Sequence, residues 1–285
     1  MAVDGNGRQV YLDPYRGSLF AVAAAARRLA CAGAEPLGIT DGLNFGNPEK
    51  PEIFWQFRQS VEGISAACRA LELPVVGGNV SFYNEVGGEA IYPTPVVGAV
   101  GLLEDPERWC GAGFSRERDL IYLLGAPAIT LGGSQFLKFV HGKVAGALPQ
   151  IDLVLEKRLQ MLLRRLIREG LLGSAHSIED GGLAVALAES CLRGGRGAAV
   201  TLPESSSPEL LLFGEGPSRV AVSVEEGGSS QRFEELAREA AVPAVLLGRT
   251  GGASFTITAG EAGRIELPLA QLQQVYGEAF PWPPR

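Results

Sequence analysis

Three short segments hold the residue types that could do chemistry. The first is Val75–Asn84, VVGGNVSFYN. Pro74–Val76 reads as a buried-type strand, and the two glycines after it could turn backbone N–H groups outward into a nest suited to phosphate oxygens. Asn79 offers a neutral carbonyl oxygen, which a hard Mg²⁺ ion accepts together with phosphate oxygens and waters. Ser81, two residues further along an extended chain, points the same way as Asn79. The same stretch also reads as a glycine bulge and turn at a sheet edge.

The second segment is Thr40–Phe57, TDGLNFGNPEKPEIFWQF. Asp41, Asn44 and Asn47 place oxygens and amides in a span too rich in glycine and proline for a helix. It follows a strand, where open α/β sheets hold their ligands. The competing reading is an Asx-turn loop that caps the next helix. The third segment is His176–Leu183, HSIEDGGL. Glu179 and Asp180 could give a carboxylate to a metal, and Gly181-Gly182 could open a helix towards an anion. A plain helix start with dipole-matched acids is the other reading, and the favoured one.

Several chemistries are excluded. There is no P-loop, because Gly142-Lys143 is followed by Val144, and no GxSxG, HExxH or GxGxxG motif occurs. Two histidines, His141 and His176, leave no basis for a histidine-rich metal centre. Cys31, Cys68, Cys110 and Cys191 form no CxxC pair, which argues against both a zinc cage and a disulfide framework.

These segments need elements to hold them. Val10–Leu12 reads as a short strand, and Ser18–Ala32 as an alanine-rich helix ending at Gly33. Pro36–Thr40 is a strand that runs into an irregular stretch, Asp41–Pro51. Phe54, Phe57, Val61, Ile64, Cys68 and Leu71 form one apolar helical stripe. Thr94–Leu103 is a long strand. Glu104–Arg118 is charged, bears Pro and Gly, and has no apolar period, so it marks a boundary. Beyond it, Asp119–Leu124, Ala198–Leu202, Arg219–Val224, Val245–Gly248 and Ser254–Thr258 read as strands. Helices fit Ser134–Val140, Asp152–Leu171, Leu183–Leu192, Gln231–Ala240 and Leu269–Tyr276. Both units should therefore be α/β or α+β.

At 285 residues, the chain has room for about two domains, and 46% hydrophobic with 20% charged residues is an ordinary globular balance. The 38 glycines imply many tight turns or close backbone approaches. A net charge of −7 argues against nucleic acid or anionic lipid as a partner. The opening residues, MAVDGNGRQV, carry no signal or transit pattern, and no apolar run nears the ~20 residues that span a bilayer. The expectation is a soluble, cytoplasmic protein without a membrane partner.

The runs VYLDP, CAGAEPLGITDGLNFGNPEKPEIFWQF, GGNVSFYNE and AIYPTPVVG together resemble the C-terminal half of the synthetase subunit of phosphoribosylformylglycinamidine synthase, bacterial small type. The likeness runs from Asp4 to near the C-terminus and is strongest over residues 4–104. It implies two domains related to aminoimidazole ribonucleotide synthetase: an N-terminal-type α/β domain over 1–104, with a nucleotide site and a pairing sheet, and a C-terminal-type α+β domain over 115–285. In that family the first-type domains of the two halves pair through their sheets, which leaves a strand surface exposed in one half alone.

The resemblance further implies a reaction in purine biosynthesis. ATP, formylglycinamide ribonucleotide and glutamine-derived ammonia give formylglycinamidine ribonucleotide, ADP and phosphate. By motif, Asp41 is an ATP contact, Gly78 binds ATP through its backbone, Asn79 is a Mg²⁺ ligand and Ser81 contacts the ribonucleotide. The implied partners are the N-terminal half, a glutaminase subunit and a small bridging subunit. The family's catalytic histidine belongs to the other half, so no catalytic residue is expected here. The alternatives are a pairing module that holds nucleotide without turnover, or an inactive fragment. A selenophosphate synthetase or thiamine-phosphate kinase is disfavoured, because DGLNFGNPEKPEIFWQ does not resemble those families.

Two departures stand out. The family's turn after the second-domain histidine usually reads Asp-Val-Ser, where this chain has Ser177, Ile178 and Glu179; that weakens a metal role for Asp180. Gly214 and Gly216 stand where small polar side chains are usual, which weakens a phosphate site there.

Overall fold

The computed structural model describes residues 1–203, 207–260 and 263–279. Residues 280–285, the end of the second expected domain, lie outside the described residues. The first unit comprises β1 (Ala2–Asp4), α1 (Gly7–Leu12), α2 (Pro14–Cys31), β2 (Glu35–Asn44), α3 (Pro51–Leu71), β3 (Val75–Ser81), a small hairpin of β4 (Glu85–Val86) and β5 (Glu89–Ala90), and β6 (Thr94–Leu102). Its sheet runs β1-β6-β2-β3, antiparallel except for the β2–β3 pair, which α3 joins as a βαβ unit. Ile39, Leu43, Val97 and Ala99 point from the sheet into a core shared with α2 and α3. On the other face Val3, Val96, Val100 and Leu102 are exposed.

The second unit holds β7 (Leu120–Gly125), α4 (Gln135–His141), α5 (Leu153–Arg168), β8 (Leu172–Ser177), α6 (Gly182–Gly194), β9 (Ala198–Leu202), α7 (Pro208–Phe213), β10 (Arg219–Val224), α8 (Gly228–Glu239), β11 (Ala244–Thr250), β12 (Ser254–Ala259), β13 (Arg264–Pro268) and α9 (Leu269–Ala279). Its sheet runs β13-β12-β9-β11-β7-β10-β8, and only β12 and β9 are parallel. Leu120, Tyr122 and Leu124 pack with α5 and α8, while Ile121 packs with α6 on the opposite face. Both faces are therefore covered, which is why β7 and β10 read as near-continuous apolar runs. The architecture is the α/β plus α+β pair expected.

α2 belongs to both units. Asp13 caps it, accepting from Arg16 N at 2.9 Å, and Pro14 occupies its first turn. Its alanines favour helix and let neighbours approach closely. Leu19–Ala23, Ala25 and Ala26 lie in the first core, whereas Ala30 and Cys31 lie in the second.

Several local expectations are corrected. Val10–Leu12 is the end of helix α1, because Asn6 accepts from Arg8 N and Gln9 N and so starts a helix there. Asp41–Asn44 continues β2 instead of opening an irregular loop, since β6 and β3 pair with it on both sides. On α3, Phe54 and Val61 of the expected stripe are exposed. Ile64, Cys68 and Leu71 of that stripe are buried, and Ile53, Ser60 and Gly63 join them, because Gly63 lets the backbone at Tyr15 come so close that any Cβ would overlap it. His176 lies in β8, not in a turn. β3 is not buried: it is the edge strand, and Val75, Val76 and Val80 are all exposed. All four cysteines are buried free thiols.

Candidate functional site

The expected site residues sit on the neighbouring parallel strands β2 and β3. Asp41 pairs with Gly78, Gly42 with Asn79, and Asn44 with Ser81. Gly78 is required by close approach: a Cβ there would overlap the Asp41 carboxylate and carbonyl. Neither Gly77 nor Gly78 has a positive φ, so the expected backbone nest is not formed. What the two glycines do instead is keep an edge strand bare, with backbone groups on its outer side left without a partner strand.

Alternation divides the side chains between the two faces of the sheet. Asp41 pairs with Val97, which is fully buried, so its carboxylate points to the helix side, where it acts on the Cys68 thiol. Burial raises the Asp41 pKa, and the carboxylate has no hydrogen-bond or ion-pair partner among the described residues. Asn79 and Ser81 share the open face, as read from the sequence. The Asn79 Oδ1 lies over Gly42, where a Cβ would sit 3.3 Å from it, and the amide has no hydrogen-bond partner among the described residues. Asp41 and Asn79 therefore stand on opposite faces, and a grip closed by both side chains is not assembled within this chain. The two meet only at the edge strand, through the backbone of Gly78.

A tight turn finishes the site. Tyr83 N donates to Gly46 O at 3.0 Å and Asn84 N to Phe45 O at 3.1 Å. Phe57 packs edge-on against Phe45 and Phe82 beneath it. Asn44 is structural, donating to Gly42 O and Thr94 O. Asn47 makes the expected Asx turn, accepting from Glu49 N at 2.9 Å, but it does not cap α3.

A second cluster lies between the two units, around a cavity of about 300 Å³. Arg27, on α2, is buried and donates to Glu156 at 2.7 Å and to Ser177 at 2.8 Å. Burial works against its charge, but Glu156 and then Glu179 hold its pKa above the ordinary value. Arg28 pairs with Asp4 at 2.9 Å and closely with Glu179. Burial, then Glu179, push Asp4 up to about 7 against the pull of Arg28.

Glu215 is the anchor of this cluster. Its Oε1 accepts from Gln135 N and Gly181 N, both at 2.8 Å, at the starts of α4 and α6. The anion place that Gly181-Gly182 could open is thus taken by the protein's own carboxylate, at the plain helix start favoured from the sequence. Burial outweighs these donors and pushes Glu215 up to about 7. Asp180 accepts from Asn6 at 2.9 Å and Gln135 at 2.8 Å. Among the described residues no cluster of three or more His, Cys, Asp or Glu could hold a metal. Sequence reading missed Asp4, Arg27, Arg28, Glu156 and Glu215, because their meeting depends on tertiary packing of separate segments.

Comparison with known proteins now decides the family. The model for the N-terminal domain of AIR synthase related proteins matches residues 1–103, and that for their C-terminal domain matches residues 116–259. The chain belongs to the AIR synthase related proteins. Within that family it is 52% identical over 281 residues to the phosphoribosylformylglycinamidine synthase subunit PurL of Moorella thermoacetica, covering 99% of this chain and 38% of the relative. The subunit PurL of a Synechococcus strain is also 52% identical, over 98% of this chain and 37% of its own length. The chain thus spans well under half of these relatives. Among solved structures, T. maritima PurL complexed with FGAR superposes with a TM-score of 0.77 at 21% identity, over 95% of this chain and 45% of that one. The hydrogenase maturation protein HypE gives 0.67 at 16% identity, over 94% and 87%. These two likenesses speak for the AIR synthase related fold.

Proposed function

We propose that this chain is the C-terminal half of the synthetase subunit of phosphoribosylformylglycinamidine synthase, with residues 1–104 and 115–285 as its two domains. The identity of about one residue in two to PurL subunits over nearly the whole chain carries this reading. In the reaction, ATP phosphorylates the amide oxygen of formylglycinamide ribonucleotide. ADP leaves in that step, and ammonia, derived from glutamine, then displaces phosphate from the resulting iminophosphate to give formylglycinamidine ribonucleotide. A glutaminase subunit and a small bridging subunit are the proposed partners that deliver the ammonia; the structure of T. maritima PurLQS is one of the folds this chain resembles.

Asp41, Gly78, Asn79 and Ser81 contribute to an active site completed by the N-terminal half. Asp41 keeps an unpartnered carboxylate, suited to hydrogen-bond donors on the nucleotide. Gly78 brings the nucleotide against bare edge backbone. The free carbonyl oxygen of Asn79 fits Mg²⁺ as a single protein ligand, since that ion keeps several waters and phosphate oxygens. When bound there, the ion neutralises charge developing on the phosphates. Ser81 orients the ribonucleotide. The exposed open face of the first sheet (Val3, Val96, Val100 and Leu102) fits pairing with the other half.

Four buried free thiols agree with a reducing, cytoplasmic setting. No helix among the described residues is long and apolar enough to cross a membrane, and a net charge of −7 does not favour nucleic acid.

Two outcomes test the reading. The chain alone will form no formylglycinamidine ribonucleotide, and adding the N-terminal half will restore turnover. Activity of the chain by itself, or none after the addition, refutes the ligase-half assignment; the latter result favours a pairing module. Asp41→Ala and Asn79→Ala will each weaken Mg–ATP binding to the reconstituted enzyme about tenfold, the loss of one charge-assisted or metal contact. Both side chains are unpartnered, so unfolding midpoints will hardly move. Parent-like affinity by calorimetry removes the assignments.

A further inference from the structure

We propose that Asn84 is a positioning residue that sets the Ser81 hydroxyl to donate its proton to the ribonucleotide, an inference that rests on the Ser81 assignment above. The Asn84 Nδ2 lies 3.0 Å from Phe45 O, 3.0 Å from Ser81 O and 3.1 Å from Ser81 Oγ. Two of these neighbours are backbone carbonyls, which only accept, so the NH₂ end of the amide must face them. A flipped amide would set three oxygens against one another. The orientation of the side chain is therefore fixed by chemistry.

The consequence falls on Ser81. The two Nδ2 hydrogens serve three acceptors, so Ser81 Oγ shares one of them with a neighbouring carbonyl, and the hydroxyl proton turns away from Nδ2. Among the described residues its one acceptor is Asn84 Oδ1, at 3.3 Å, well beyond the 2.7–2.8 Å typical of a good O–H···O bond. That weak bond is readily exchanged for a better acceptor, a phosphate, ribose or amide oxygen of the substrate. The turn is also pre-set: Tyr83 holds a left-handed φ of 59° without being glycine, and its N–H and that of Asn84 tie it to Phe45-Gly46. The hydroxyl is thus aimed before substrate arrives, which lowers the ordering cost of binding.

A double-mutant cycle in the reconstituted synthetase tests this. Ser81→Ala removes the donor and will raise KM for formylglycinamide ribonucleotide roughly three- to tenfold, the worth of one hydrogen bond. Asn84→Asp replaces the donating amide with a carboxylate that captures the Ser81 proton, and KM will rise by a similar factor. The double variant will match Ser81→Ala alone, because Asn84 acts through Ser81. KM for ATP and kcat will stay within twofold throughout, which a general loosening of the fold would not allow. Penalties that multiply in the double variant, or an Asn84→Asp enzyme with parent KM, overturn the role of Asn84 while leaving Ser81 in place. An unchanged KM in Ser81→Ala removes the ribonucleotide contact, and this proposal with it. Asn84→Ser, which keeps a donor without a second charge, replaces the aspartate in the cycle should that variant not fold.

Discussion

Replacing Arg27 with alanine will destabilise the protein by about 3–5 kcal/mol, the cost of leaving a buried charge without its partner. Glu156 has no solvent exposure and its ion-pair partner is Arg27, 2.7 Å away; Gln160 alone would remain to it, at 2.8 Å. Urea unfolding of the single variant reads the loss directly. A double variant, Arg27→Met with Glu156→Leu, fills similar volume without charge and will recover most of it, since buried pairs often break even against apolar replacements. A single-variant loss below roughly 1 kcal/mol would mean that Glu156 finds water or a proton instead.

Stability will fall as pH rises from about 4.5 to 7. Glu215 moves from 4.5 to about 7 on folding, and Asp4 from 3.8 to about 7. Both groups hold their protons more tightly folded than unfolded. Their stabilising contribution is thus complete below the unfolded values, fades through this window, and is gone above the folded ones. For Glu215 the difference amounts to at most roughly 3 kcal/mol. Glu215→Gln keeps an acceptor for Gln135 N and Gly181 N without the charge. Its unfolding midpoint will exceed the parent's at pH 8, and the two curves will converge near pH 4.5. Parallel curves across that range would show that Glu215 is already ionised when the protein folds.

Most of the fold was legible because its elements carry strong local signals. The leucine-rich run after Asp152 announces α5, and the apolar runs of β7 and β10 announce strands. Failures occurred where a capping side chain or a neighbouring strand decided the matter. Asn6 turned Val10–Leu12 into helix, and pairing on both flanks extended β2 through Asn44. Short elements such as β1, β13 and α7 carry too few residues for a period to emerge.

At the candidate site, extended spacing puts Asn79 and Ser81 on one face, whereas the pairing of β2 with β3 is not legible in either segment alone. That Asp41 points to the helix side is not legible, because glycine and proline make the segment read as irregular and hide its alternation. Asn84 was in view but unweighed, since its value lies in three acceptors gathered by a fold. The Arg27–Glu156 pair left no trace in sequence. Arg27 follows a run of alanines beside Arg28, and only the packing of α2 shows that the first of the two is the buried one.

The double membership of α2 has a consequence for anyone wishing to dissect the molecule. A cut in the connecting segment would leave the front piece with a wet arginine and two small residues meant for someone else's interior, and the back piece with a trench where a rod should lie. Melting should therefore be a single event, and spare parts made separately would have to find each other before either became solid.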